Sequence, residues 1–489
     1  MKKYKVSNLF LYRYRFYFGY ILLALAFIFF VLALPEISIN GLSEAEMQSA
    51  VDSYSLHLSS ITSTNLVDLP YHILQKLSIL IFGLSTFAIK LPSILIATAL
   101  GFLLVLLLNR WFKSNVALLA SVLTILSIPF LFLASSGTPD IMVVFWPTLL
   151  LWLGSKIQGE RKPRASFCFI FAFILLFSIF TPHMIYLAFF IVAYVLFNPH
   201  LRFTVKTLPK LPFACCCSII ILGLIVLTLN FITNPSIATR IFSAENLSFG
   251  NYFNNIKTAL VPFFSWNSTS EEVYLTPLIG LPMLFLAFTG LFSTVKGFFA
   301  SRNSIATCFI LFTIFISGFN PNASLLLILP LSILVAHGLK YILEKWYGLF
   351  PENPYARIFG ILPISTFIII MIISGLSHFI FGYRYTPAVA NCFNNDLELI
   401  ASLEEGSTLI LNQDSLEYDF YKVYEDRTHR ITVLSPQSKD IPASFATIGK
   451  LDHTENESLF NSNHLSKIIT SPKSTNSDRM YIYTENSNN

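Results

Sequence analysis

Charge is what this sequence has least of. Asp, Glu, Lys and Arg make up 12% of its 489 residues while hydrophobic side chains make up 54%, against roughly a quarter charged in a soluble domain. That excludes a freely soluble globular chain and points to a polytopic membrane protein. Cysteine gives no framework either. Of six cysteines, Cys168, Cys215, Cys216, Cys217 and Cys308 sit in apolar runs and Cys392 lies in polar sequence, so neither a disulfide pattern nor a metal-ligand spacing is formed. No metal or cofactor is therefore expected. The polar tail has no Gly-rich phosphate loop, and no convincing internal repeat is present. The net charge of +5 implies no nucleic-acid partner, because Lys and Arg fall in short loops between apolar runs.

A bilayer core of roughly 30 Å needs about 20 apolar residues in a helix. On that ruler the sequence predicts about eleven spans, at 16–34, 88–109, 115–133, 141–155, 166–181, 184–198, 213–231, 275–294, 304–319, 323–340 and 357–381. The first is read as uncleaved, because it follows a basic amino terminus, has span length and lacks a small-residue cleavage site. Alternate loops hold the Lys and Arg residues, whereas 35–68, 134–140 and 319–322 hold none. The positive-inside rule then places the amino terminus in the cytoplasm and the tail outside, in the cell membrane. The apolar run 71–82 is too short for a span and reads as an interfacial or re-entrant helix. The expected fold is thus a polytopic α-helical membrane domain, 1–381, with interfacial helices in the first outside loop. A small extracytoplasmic α/β domain, 382–489, follows. In that tail, 395–403 reads as helix, 407–411, 431–434 and 480–484 as strands, and 461–478 as loose chain.

Chemistry is expected in the outside loops, since polar groups inside the bilayer are costly. Met47, Ala50, Val51, Tyr54 and Leu58 form one apolar stripe on a helix, expected at the membrane interface. Glu44 and Glu46 stand at its start. Ser43-x-x-Glu46 also has the spacing of a capping box, which explains Glu46 without any catalytic role. Asp140 opens a later span on the same side, with ordinary helix-start chemistry as its other explanation. Cations and polar groups on that side are His72, Lys76, Lys90, Arg240 and Lys257. Tyr71 lies in the same first loop and His183 in another connection between spans. Each cation taken alone is explained by snorkelling to lipid headgroups.

The order of these parts resembles the GT-C superfamily of integral membrane glycosyltransferases, the kind that uses polyprenyl-phosphate sugars and includes protein mannosyltransferases and aminoarabinose transferases. Ser43-Glu44-Ala45-Glu46 stands where the family has its acidic motif. Leu69-Pro70-Tyr71-His72 is similar to the proline segment, Phe82-Gly83 to the helix end, and Lys90-Leu91-Pro92-Ser93 to the opening of the second span. Asp140 stands at the second-loop Asp. Two departures are visible: the family's usual acidic-motif Asp is absent, and Asp68-Leu69 replaces the basic residue often found before the proline pair.

The resemblance implies an inverting glycosyltransferase, hexosyl or pentosyl, acting at the cell envelope without a cofactor. Its partners would be a polyprenyl-phosphate sugar, membrane lipids and a lipid, glycan or protein acceptor. Glu46 or Glu44 would act as general base with Asp140 in support, and His72, Lys76, Lys90 and Arg240 would hold the donor phosphate. Tyr71 and His183 would serve the donor or acceptor loop. The alternative is a transporter or flippase of lipid-linked saccharide, which would place charged or broken helices near mid-membrane.

Overall fold

The computed structural model describes residues 28, 33, 41–56, 66–159, 165–243, 249–265, 274–298, 300–349, 354–438, 441–448, 463–470 and 479–485. Apart from 28 and 33, the predicted span 16–34 lies outside them, as does Leu58 of the predicted stripe. In chain order, α1 is Glu44–Tyr54, α2 Leu69–Phe82, α3 Thr86–Trp111, α4 Ser114–Ile125, α5 Ile128–Ser135, α6 Ile141–Gly159, α7 Ala165–Ser178, α8 Met184–Phe197 and α9 Pro199–Lys206. There follow α10 Lys210–Thr233, α11 Pro235–Ile241, α12 Tyr252–Phe264, α13 Leu281–Lys296, α14 Ser301–Ser317, α15 Ile328–Leu349 and α16 Pro354–Tyr385.

Each apolar segment predicted after the first coincides with one of these helices or with a broken pair. By length and composition, five helices among the described residues can cross a membrane, and up to seven if each bent pair forms one span. The count of eleven is not confirmed: nearly all of the first predicted span lies outside the described residues, α7, α13 and α14 are short, and one predicted span is broken. The span expected at 115–133 is α4 and α5, bent by 61°. Pro129 sits in the first turn of α5, where its missing N–H cannot continue α4's hydrogen-bond ladder. Pro199 opens α9 after a 95° bend from α8 in the same way.

The core of the helical part joins α3, α4, α5, α6, α13 and α15, through Leu100, Ala117, Leu131, Val144, Leu286 and Ile333 among others. Around it, α10 and α16 are apolar, yet their most apolar stretches are only 17% and 11% buried. Such surface needs lipid rather than water. Helix α2 is amphipathic in the inverted sense, with His72, Gln75 and Ser78 buried and Ile73, Leu74, Leu77, Leu80 and Ile81 exposed.

The tail folds as α17 (Pro387–Ala390), α18 (Asp396–Ala401), β1 (Ser407–Ile410), α19 (Leu416–Thr428), β2 (Ile431–Leu434), β3 (Ser444–Ile448), β4 (Asn463–Thr470) and β5 (Arg479–Glu485). The strands form one sheet in the order β2-β1-β3-β5-β4, with β1 parallel to β2 and β3 and β5 antiparallel to β3 and β4. The predicted helix at 395–403 and strands at 407–411, 431–434 and 480–484 are present. The stretch 461–478, expected to be loose, contains β4, an edge strand whose exposed polar residues gave no alternation to read.

This sheet unit does not stand apart from the first loop. Leu42 and Asn394 exchange both backbone hydrogen bonds, at 2.8 and 2.9 Å. Gly41 makes that approach at φ 87, and a Cβ there would meet the Asn394 carbonyl at 2.0 Å. Met47, Ala50 and Ile79 share a core with Leu397, Phe420, Tyr421 and Tyr424, and Arg427 donates to the Ile79 carbonyl at 3.2 Å. The stripe on α1 therefore packs on α19, so it is not the membrane-facing side expected of an interfacial helix. The tail supplied enough apolar surface to cover it.

Helices α13 and α15 touch through glycine. A Cβ on Gly290 would stand 1.9 Å from the Leu334 carbonyl, and one on Gly338 2.1 Å from that of Leu286. Gly290→Ala is expected to force the helices apart and destabilise the protein by about 1–3 kcal/mol, the range for overpacking. Thermal unfolding in detergent checks this by a lowered melting temperature.

Candidate active site

The charged first loop folds around a carboxylate that has left solvent. Ser43 caps α1, and Glu46 completes the capping box. Glu46 Oε2 accepts from the Ser43 amide at 2.8 Å and from its hydroxyl at 3.2 Å. Its other oxygen accepts from the Gly137 amide at 2.5 Å and faces Lys90 Nζ at 3.7 Å. Glu46 and Lys90 are both fully buried. A buried carboxylate keeps its charge only when its lone pairs are matched in this way.

A second buried knot lies one turn along. Gln75 on α2 accepts from Ser49 at 2.8 Å and Ser53 at 2.5 Å, and donates to the carbonyls of Ile89 at 3.1 Å and Gly137 at 2.9 Å. Its amide is thus fully used. Ser53 Oγ also lies 2.8 Å from His72 Nδ1. Because the one Ser53 proton goes to Gln75, Nδ1 of His72 is the protonated nitrogen and Nε2 carries the lone pair.

These knots set one wall of a cleft of about 500 Å³. Ala45, Gln48, Ser49 and Asp52 of α1 line it, together with Asp68, His72, Ser136, Thr138, Asp140, His183, Arg240, Ser243, Tyr274 and Asn320. The structure thus brings Asp140, His72, His183 and Arg240 of the expected residues together. It places the others elsewhere. Glu46 and Lys90 pair with each other behind the wall and do not line the cleft, which removes Lys90 from the expected cluster of free cations. Glu44 is exposed beside Cys392 and Glu417, whose ionisations it opposes. Lys76 holds the end of α1 by donating to the carbonyls of Tyr54, at 3.1 Å, and Leu56. Tyr71 is fully buried and its hydroxyl pairs with Ser93 at 2.8 Å.

Sequence reasoning missed Asp52, Asp68 as a member of the cleft, and Ser243. For Asp52 a signal existed: Ala45, Gln48, Ser49 and Asp52 recur at three- and four-residue spacing, a second stripe beside the apolar one.

The electrostatics of the cleft are set by burial. It pushes the Asp68 carboxyl well above the usual carboxylate range; Asp140 and Asp52 add to the rise, while Arg240 and a Thr181 hydrogen bond oppose it. Burial also raises Asp140, against a hydrogen bond from Thr138 at 3.1 Å. Both histidines are held neutral. Burial lowers His183 to about 4, and lowers His72 to about 4 with Asp52 and Gln75 opposing. Arg240 is therefore the one permanent cation among the described residues that line the cleft. Among the described residues, no group of His, Cys, Asp and Glu is placed to hold a metal ion.

The whole chain is similar in fold to ArnT from Cupriavidus metallidurans. The apo crystal structure matches with a TM-score of 0.55 at 12% identity, covering 95% of this chain and 98% of that one. The structure bound to undecaprenyl phosphate matches with a TM-score of 0.54 at 13% identity, covering 96% and 98%. A family model described as dolichyl-phosphate-mannose-protein mannosyltransferase matches residues 70–231. No curated protein sequence matches the chain. The resemblance to the GT-C superfamily carried by the loop motifs is thus borne out in the fold and in this partial family match. The family match begins at Pro70, after the departures at Ser43 and Asp68.

Removing one member of the buried ion pair leaves the other charge uncompensated. Lys90→Met is expected to destabilise the protein by about 3–5 kcal/mol, and Glu46→Gln added to it is expected to recover part of the loss. A double-mutant cycle of melting temperatures in detergent checks this. Additive effects would mean that the two residues do not interact.

Proposed function

We propose that this chain, which has the fold of GT-C membrane glycosyltransferases, transfers a sugar from a polyprenyl phosphate to an acceptor hydroxyl on the extracytoplasmic face, with inversion. The observation that carries this reading is the cleft itself. It joins a carboxylate with raised proton affinity, Asp140, to a cation, Arg240, at the junction of seven chain segments.

In this reading the acceptor oxygen attacks the anomeric carbon, its proton passes to the Asp140 carboxylate, and the bond to the phosphate oxygen breaks. The polyprenyl phosphate leaves as an anion, and Arg240 stabilises its growing charge. A carboxylate held above its ordinary proton affinity is a stronger base than one in water, provided it remains ionised when the acceptor arrives. Asp140 takes this role ahead of Glu46, whose oxygens already have partners, and ahead of Glu44, which faces the tail. Asp52 completes the acidic wall. The fully buried Glu46 and Lys90 hold the geometry, and His72 is fixed as a neutral hydrogen-bonding group. The tail, from 382 onward, would be extracytoplasmic and would brace α1.

The test is transfer of radiolabelled sugar from polyprenyl-phosphate donors in proteoliposomes. Asp140→Asn should lower the rate by about 10²–10⁴-fold, the usual contribution of a general base. Arg240→Gln should raise the KM for donor about tenfold, as expected for one charge-assisted contact, and Glu44→Gln should stay near wild type. Full activity in Asp140→Asn would overturn the assignment.

A further inference from the structure

Three loops around the cleft hold a non-glycine residue in left-handed backbone conformation: Asp68 at φ 52, His183 at φ 67 and Ser243 at φ 48. All three line the cleft. Such conformations cost about 1–2 kcal/mol for an L-residue and persist where surrounding structure imposes them.

Asp68 and His183 are also the N-cap residues of α2 and α8, and neither side chain caps its helix. Aspartate is among the best caps, worth about 1 kcal/mol, so the loop forgoes a stabilising bond to keep this side chain elsewhere. Both side chains are more than nine-tenths buried, with relative exposures of 7% and 4%. Even so, Asp68 Oδ1 and His183 Nδ1 have no hydrogen-bond partner among the described residues. Leaving a buried polar atom unmatched costs about 1–3 kcal/mol.

The two residues are fixed relative to each other. The Asp68 amide donates to the Phe180 carbonyl at 2.9 Å, in the turn that carries His183. Trp146 Nε1 donates to Thr181 Oγ1 at 3.0 Å in that same turn, and the Thr181 side chain bonds Asp68 in turn. One rigid unit thus holds two unmatched polar atoms, each just beneath the surface of a residue that lines the cleft.

What completes them is a ligand with hydroxyl groups. Burial favours the neutral form of both side chains, so together they offer hydrogen-bond donor and acceptor capacity without positive charge. A phosphate would find only Arg240, which is exposed. Building on the transferase reading above, we propose that Asp68 and His183 form the subsite that hydrogen-bonds hydroxyls of the transferred sugar ring, separate from the lipid phosphate at Arg240.

Binding distinguishes this subsite from the transferase reading as a whole. The full chain in nanodiscs is titrated with radiolabelled undecaprenyl phosphate and with a panel of undecaprenyl-phosphate hexoses and pentoses. Wild type should bind at least one glycosylated lipid more tightly than the bare phosphate. Asp68→Ala and His183→Phe should each lose about tenfold in affinity for that lipid, with affinity for undecaprenyl phosphate unchanged within about twofold. His183→Phe should not lower the melting temperature, because it removes an unmatched buried atom rather than a made bond, whereas Asp68→Ala also removes the bond from Thr181.

Equal loss for both lipids would overturn the subsite, as would a fall in melting temperature in His183→Phe. A wild type that binds the bare lipid without preferring any sugar would overturn it while leaving the transferase reading standing. Failure of wild type to bind any of these lipids would overturn the transferase reading, and the subsite with it.

Discussion

The arrangement around the cleft depends on a carboxylate that water does not reach. Glu46 is tied to the start of its own helix through Ser43, to the loop before α6 through the Gly137 amide, and to α3 through Lys90. No part of that set is near the others in sequence except the capping box. Burying an ionised group is unfavourable unless its partners are all in place, so the knot admits few alternative arrangements. It fixes α1 against the loop that carries Asp140. Gln75 repeats the device without charge, tying the same loop and α3 to Ser49 and Ser53. Between them the two knots set the rotation of α1, which decides whether Asp52 faces the cleft or the sheet.

That rotation gives α1 two uses. Its apolar stripe packs on Phe420 and Tyr421 of the tail, and its polar stripe lines the cleft. The tail is therefore a structural part of the cleft wall at one remove, through the Leu42–Asn394 bridge and Arg427. Helix α2 works by the opposite logic, with polar residues inward and aliphatic ones outward. This pattern is stable only where the exposed side meets lipid.

Much of this was legible in the sequence. The apolar segments, the capping box at Ser43 and Glu46, the helix start at Asp140 and the short apolar run of α2 all depend on local spacing, and local spacing is what a sequence displays. Glu46 and Lys90 were harder. Each looks like free chemistry on its own segment, and their pairing exists only once α1 is laid against α3. The broken span at Ile125 and Ile128 was hidden because hydropathy does not register a proline within an apolar run. Strand β4 was hidden because an exposed edge strand has no buried face to impose alternation. Asp68 presents the opposite difficulty: in the sequence it looks like a lost cation before Pro70, and only the left-handed backbone reveals that its carboxyl does not cap the helix it precedes.

The balance of charge in the cleft constrains how a lipid phosphate would sit there. Asp52, Asp68 and Asp140 line it against one arginine, and both histidines are held neutral by burial. A phosphate placed deep in the cleft would meet carboxyl groups, which either repel it or must be protonated to accept it. At Arg240, which is exposed, it finds the opposite charge and keeps part of its hydration. A donor would therefore lie with phosphate at the rim and sugar inward, which puts the anomeric carbon between Arg240 and the acidic wall.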